Sequence, residues 1–227
     1  MGNVKDNLLR VQARINDACI AACRNPESVK LLAVSKTKPP SMVREAIDAG
    51  QSDFGENYLQ DALVKISEVP DATWHYIGNI QSNKTRGIAT HFDWVHTVTS
   101  EKIARRLNSQ RPESALPLNI MLQVNVNHEP GRQGVDKADL PALVESTLQL
   151  DHLRLRGLMA IPEKVDDEER QLANFVELAE LLAAIQGRFF LPGFDQLSMG
   201  MSADLEAAIS AGATWIRIGT AIFGERH

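Results

Sequence analysis

The sequence predicts an α/β fold, and within that class a single TIM-type (β/α)8 barrel with an extra helix at its amino terminus. Three observations predict it. Short apolar runs alternate with longer stretches of helical periodicity along the whole chain, the pattern that parallel strands joined by crossover helices leave behind. About eight such runs can be read, the number that closes a barrel. The length of 227 residues suits one barrel, no Gly/Ser-rich linker divides it, and residues 1–227 read as one domain. An open doubly wound sheet is the alternative, because periodicity fixes neither strand order nor closure.

The elements follow in order. Leu8, Val11, Ile15, Ala18 and Ala22 stand near helical spacing and mark an amphipathic opening helix. Strands are expected at Lys30–Ser35, Ser52–Gly55, Trp74–Gly78, Trp94–Val98, Leu118–Val126, Leu153–Ile161, Gln196–Met199 and Trp215–Gly219. Between them, Ser41 is placed to cap a helix over Met42–Ala49 that Gly50 ends, and Ser202 to cap one over Ala203–Ala211 that Gly212 ends. Longer helices are expected over Lys137–Leu150 and Glu168–Gln186, the second with Leu172, Phe175, Leu178 and Leu182 on a broad apolar face.

Composition excludes several function classes. A net charge of -5 and the lack of a strong basic block argue against nucleic acid as a partner. No apolar stretch reaches the roughly 20 residues that span a bilayer, and no signal-peptide pattern opens the chain, so no membrane is expected and the default location is cytoplasmic. Cys19 and Cys23 lie four apart on one expected helix, which fits reduced thiols rather than a disulfide framework. Two cysteines without further ligands do not make a metal site.

In a barrel, the carboxyl ends of the strands converge on one face, so residues remote in sequence become neighbours there. Lys36 stands where Leu31–Val34 stops and Pro39 and Pro40 begin. A lysine so placed can condense with an aldehyde if partial burial exposes its amine; a solvated lysine at a strand end is the alternative. The other strand ends bring Gly55 and Asn57, His75 and Gly78, Met159, Ser198 and Gly200, and Arg217, Gly219 and Thr220. Loops after the last two strands of such barrels often hold phosphate. Ser198, Gly200 and Ser202 follow one of them and Gly219 and Thr220 the other, which leaves backbone amides and hydroxyls open to approach. Tight turns alone would also use these glycines. An imine-forming lysine beside a phosphate cup is the pair of groups that pyridoxal 5'-phosphate (PLP) requires. Arg217, if it points inward, would donate to the pyridine nitrogen and leave the ring unprotonated, a weaker electron sink. Ile216 and Ile218 leave its direction open.

At these residues the sequence resembles the pyridoxal phosphate homeostasis proteins, related to the amino-terminal barrel of alanine racemase. The matching blocks are LLAVSKTK (Leu31–Lys38), FGENY (Phe54–Tyr58), WHYIG (Trp74–Gly78), QSNKTR (Gln81–Arg86), RGLMAIP (Arg156–Pro162), LSMGMS (Leu197–Ser202) and IRIGTAIFG (Ile216–Gly224). Asn79, Ile80 and Ala203 depart from the frequent pattern. The resemblance implies a PLP fold type III barrel lacking the second β domain, the chain ending at His227 just after the eighth strand region. It implies that Lys36 forms the aldimine with PLP, that Ser198, Gly219 and Thr220 hold the phosphate, that Arg217 faces the pyridine nitrogen, and that Asn57 and His75 lie near the cofactor. Met159 and Gly200 complete the expected cofactor-binding set. The implied role is intracellular PLP homeostasis, by buffering or delivery, without robust catalysis. PLP-dependent apoenzymes would be further partners, and a monomer is the default state. A small PLP-dependent racemase or lyase is the competing reading, with His75 nominated as its second base; a barrel binding another phosphate ester is a third.

Overall fold

Eight parallel strands pair in chain order and close into a barrel, β8 returning to β1. The computed structural model describes residues 3–129, 131–163, 165 and 167–225. The strands are β1 (Lys30–Val34), β2 (Asp53–Glu56), β3 (Thr73–Tyr76), β4 (Trp94–Val98), β5 (Leu118–Gln123), β6 (Leu153–Met159), β7 (Gln196–Ser198) and β8 (Trp215–Ile218). Crossovers carry α2 (Pro40–Asp48), α3 (Leu59–Glu68), α4 (Thr85–His91), α5 (Glu101–Gln110), α6 (Leu140–Thr147), α7 (Glu168–Phe189) and α8 (Leu205–Ser210). The barrel fold and the opening helix are therefore as expected.

After β8 comes α9 (Thr220–Phe223), a single turn. The opening helix α1 (Val4–Ala21) packs against α8, α9 and α2. It thus covers the stretch of outer wall that so short a helix leaves bare. Its buried stripe is Val4, Leu8, Val11, Ile15, Ala18 and Cys19. Asn3 starts it by accepting the Asp6 amide at 2.8 Å, a capping bond usually worth about 1 kcal/mol. Arg14 ties the same helix to α8 through both oxygens of Glu206, at 2.6 and 2.7 Å.

Strand alternation sorts side chains into two cores. Leu31, Ala33, Phe54, Trp74, Tyr76, Val95, Ile120, Leu122, Leu158, Ile216 and Ile218 face the helices and join the outer core. Leu32, Met121, Met159 and Trp215 form a separate cluster within the barrel, against Ile77 and Trp94. Because Ile216 and Ile218 face outward, Arg217 points in.

Several boundaries move. Pro40 occupies the first turn of α2, where its fixed φ and missing N–H cost nothing, so Ser41 lies inside that turn and Pro39 is the cap position. The helix expected from Ala203 begins at Leu205, because Met201 and Asp204 close a turn first, with the Asp204 amide donating to Met201 O at 3.2 Å. The cap position is Asp204, not Ser202. The fifth strand stops at Gln123, since Val124 leaves to bridge Val135. The sixth stops at Met159 and the third at Tyr76. The helix expected over 137–150 is confined to 140–147. Cys19 and Cys23 are both free thiols, and no helix among the described residues is long and apolar enough to cross a membrane.

One glycine is fixed by a neighbouring strand. Between β5 and β6 the register runs Ile120 to Leu155 and then Met121 to Gly157, so Arg156 is an extra residue and β6 bulges. At the bulge, a Cβ on Gly157 would lie 1.8 Å from Gln196 O of β7. Gly157→Ala is expected to cost roughly 1–3 kcal/mol through overpacking, seen as a lower urea midpoint at unchanged slope. An unaltered midpoint would show that the two strands can part.

Candidate functional site

β1 delivers Lys36 to the barrel mouth. Ser35, one residue earlier, faces the helix layer, where its hydroxyl donates to Glu56 Oε1 at 2.6 Å. Lys36 therefore takes the inward side. The chain then turns sharply, with Lys38 N bonded to Ser35 O at 3.0 Å and Thr37 in the left-handed region at φ 64°.

The mouth contains a cavity of about 340 Å³ whose wall includes Lys36, Asn57, Met159, Arg217, Gly219 and Thr220, with Ser202 beside them. That is the size of a small-molecule site. Six of the nine expected site residues thus meet on one wall. Gly219 sits tight against β1, since a Cβ there would lie 3.1 Å from Val34 O. Asn57 has a buried Oδ1 that accepts no hydrogen bond among the described residues.

Gly200, His75 and Ser198 stand off this wall. Gly200 is a packing glycine, at φ 89° with its missing Cβ replaced by Ala208 and Ile216 side chains. His75 is fully buried inside the barrel, bonded to Asp53 Oδ1 and His96 Nε2 at 3.0 Å each. Its ring lies parallel to Trp94 with centroids 5.6 Å apart. Ser198 is likewise buried, its hydroxyl between His96 Nδ1 at 2.8 Å and Arg217 Nη1 at 2.9 Å. The inward alternation of short strands places both off the cavity wall, and the Ser198 oxygen is bonded to Arg217.

Arg217 is anchored twice, to Ser198 Oγ and, through Nη2, to Ala160 O at 3.0 Å. Burial lowers its guanidinium to about 10, against the pull of Asp204, so it remains a cation at neutral pH. Burial also pushes the Glu56 carboxyl up, opposed by Lys65 and Ser35. Lys65 Nζ, though on a helix, is buried and lies 2.6 Å from Glu56 Oε1 and 2.7 Å from Ser35 O. This pair clamps the peptide that leads into Lys36. Sequence reasoning missed Lys65, Glu56 and His96. The signal for His96 was available in the alternation Trp94, His96 on β4; Lys65 looked like a solvated helix residue.

Two stability predictions follow from these buried groups. Lys65→Met should destabilise by roughly 3–5 kcal/mol, because it leaves a buried carboxylate without its cation; a loss under about 1 kcal/mol in urea unfolding would contradict the pairing. Burial holds His75 and His96 below the ordinary value of 6.5, with Asp53 opposing at His75. The unfolded chain then binds more protons below that pH, so stability conferred by the neutral rings is present above it and lost as pH falls. Unfolding measured downward from pH 6.5 should show that loss, with a shallower slope in His96→Leu; equal slopes would refute it.

Residues 4–227 match the family model described as alanine racemase, N-terminal domain. The pyridoxal phosphate homeostasis protein of Pseudomonas aeruginosa is 57% identical, over 100% of this chain and 97% of that one. PipY of Synechococcus elongatus PCC7942, solved with PLP bound, is 38% identical with a TM-score of 0.85, covering 97% of this chain and 100% of that one. Alanine racemase from Bacillus anthracis with bound L-Ala-P shares the fold, at 16% identity and a TM-score of 0.69 over 98% of this chain and 56% of that one. The 57% identity to the Pseudomonas aeruginosa protein, sustained along essentially the whole of both chains, makes this protein a member of the pyridoxal phosphate homeostasis protein family.

Proposed function

We propose that the protein binds PLP at the barrel mouth, covalently through Lys36, and acts in intracellular PLP homeostasis as a buffer or donor rather than as a robust catalyst. The observation that carries this reading is the meeting of Lys36, Arg217, Gly219 and Thr220 on one cavity wall from opposite ends of the chain. The residues suit the group. An amine, a fixed cation and two small or hydroxylated residues match an aldehyde, a ring nitrogen and a phosphate, and the buried Asn57 Oδ1, which accepts no hydrogen bond among the described residues, can accept one from a phenolic O–H.

PLP supplies an electrophilic aldehyde carbon that a primary amine can attack. Lys36 provides that amine, and the Lys65 and Glu56 clamp on Ser35 sets its height above the barrel. Thr220 and Ser202 offer hydroxyls for phosphate, and Gly219 keeps the approach clear. Arg217 donates toward the ring nitrogen without yielding its proton. Met159 forms the apolar floor.

One observation and one consequence of the proposed ring contact favour binding over racemase or lyase chemistry. His75, the nominee for a second base, has both ring nitrogens engaged and does not line the cavity. A guanidinium opposite the ring nitrogen stabilises carbanions less than a carboxylate would. The reading takes one barrel as the binding unit and PLP-dependent apoenzymes as recipients.

Absorbance titration of the apoprotein with PLP tests it. Lys36→Ala should lose the visible band and keep residual affinity through the phosphate; a band of wild-type intensity would contradict the assignment. Thr220→Ala should raise the Kd roughly tenfold, the worth of one hydrogen bond to a charged group, while the band still forms at saturation. Unchanged affinity would remove Thr220 from the phosphate site.

A further inference from the structure

Beneath the cavity, a line of polar groups crosses the barrel interior. It runs from Asp53 at the start of β2 through His75 on β3, His96 on β4 and Ser198 on β7 to Arg217 on β8. The successive distances are 3.0, 3.0, 2.8 and 2.9 Å. His75, His96 and Ser198 are completely buried, and Asp53 is 20% exposed at its outer end.

With both rings neutral, as burial favours, donor and acceptor counting gives the line one direction. The Asp53 carboxylate only accepts, so His75 carries its proton on Nε2. His75 Nδ1 then accepts, which requires the proton of His96 on Nε2 as well. His96 Nδ1 accepts in turn, so the Ser198 hydroxyl donates to it and offers a lone pair to Arg217 Nη1. Both rings are neutral in this scheme, as their burial favours. Facing His75 are also Asp93 and Lys30, and Arg217 faces His96. Trp94 and Trp215 wall the rings, with the Trp215 centroid 4.8 Å from that of His75.

We propose that His96, backed by His75 and Asp53, is a positioning residue for Arg217: by fixing the Ser198 hydroxyl proton away from the guanidinium, it sets the angle at which Arg217 meets the ligand's ring nitrogen. This rests on the reading of the cavity as a PLP site with Arg217 at that nitrogen. Without His96, the Ser198 hydroxyl would rotate among other orientations, and Arg217 would keep Ala160 O as its remaining fixed anchor. A cluster present only for stability would have no such effect on the ligand, so the two roles separate by experiment.

Imidazole nitrogen NMR on the ligand-free protein reads the line directly. Both histidines are expected as neutral Nε2–H forms at neutral pH, titrating below the ordinary histidine value; a proton on His96 Nδ1 would overturn the proposal. PLP binding by folded variants supplies the second readout. His96→Leu should raise the Kd about tenfold, the scale of lost second-layer support, and shift the pH profile of the bound-ligand absorbance. His96→Asn, whose Oδ1 can still accept from Ser198, should restore most of both. Wild-type binding and pH profile in His96→Leu, or an equal loss in the Asn variant, would overturn the proposal. If His96→Leu does not fold, Ser198→Ala replaces it, with a mixed His96 tautomer and a raised Kd expected and unchanged values contradictory. Unchanged PLP affinity in Arg217→Leu would instead bring down the reading on which the proposal rests.

Discussion

Everything at the mouth depends on the parallel pairing of β8 with β1. Four residue pairs, from Lys30 with Trp215 to Ala33 with Ile218, close the sheet and bring its two ends side by side. In an open sheet the same strands would carry Lys36 and Thr220 on opposite edges. The outer wall at this seam is covered by α1, because the helix after β8 is a single turn. Burial of the α1 stripe is therefore part of what keeps the seam closed, at about 25 cal/mol for each Å² of apolar surface removed from water.

Closure also determines where polar groups can lie. Facing the helices, Glu56, Lys65 and Ser35 form a buried ion pair and hydrogen bonds that end on the peptide before Lys36. Facing the interior, Asp53, His75, His96 and Ser198 end on Arg217. Each assembly supports one side chain of the cavity wall, Lys36 or Arg217, from opposite sides of the sheet. Buried ion pairs seldom add net stability relative to apolar packing. Their position here instead gives precision to Lys36 and Arg217, both long side chains with much rotamer freedom to lose.

The sequence made the barrel legible because apolar runs and helical stretches alternate throughout, and six residues of the expected site do share a wall. Element ends were less legible. Ser41 and Ser202 have the chemistry of caps, yet Pro40 starts one helix early and the Met201–Asp204 turn delays the other. That His75 and Ser198 stand off the cavity wall is not legible in the sequence, because strand length, and so depth along the barrel axis, leaves no mark in composition. Lys65 was invisible for a different reason: a lysine on an amphipathic helix reads as solvated, and only the approach of Glu56 from β2 makes it buried. Arg217's direction, ambiguous between two isoleucines, was settled by register.

The central claim is that Lys36 is the point of covalent attachment, and location of the modified residue tests it most directly. Protein saturated with PLP would be reduced with borohydride, digested and mapped by mass spectrometry. The account predicts the pyridoxyl mass on the peptide that contains Lys36, at near one equivalent. The same mass on other lysines, with Lys36 unmodified, would contradict it.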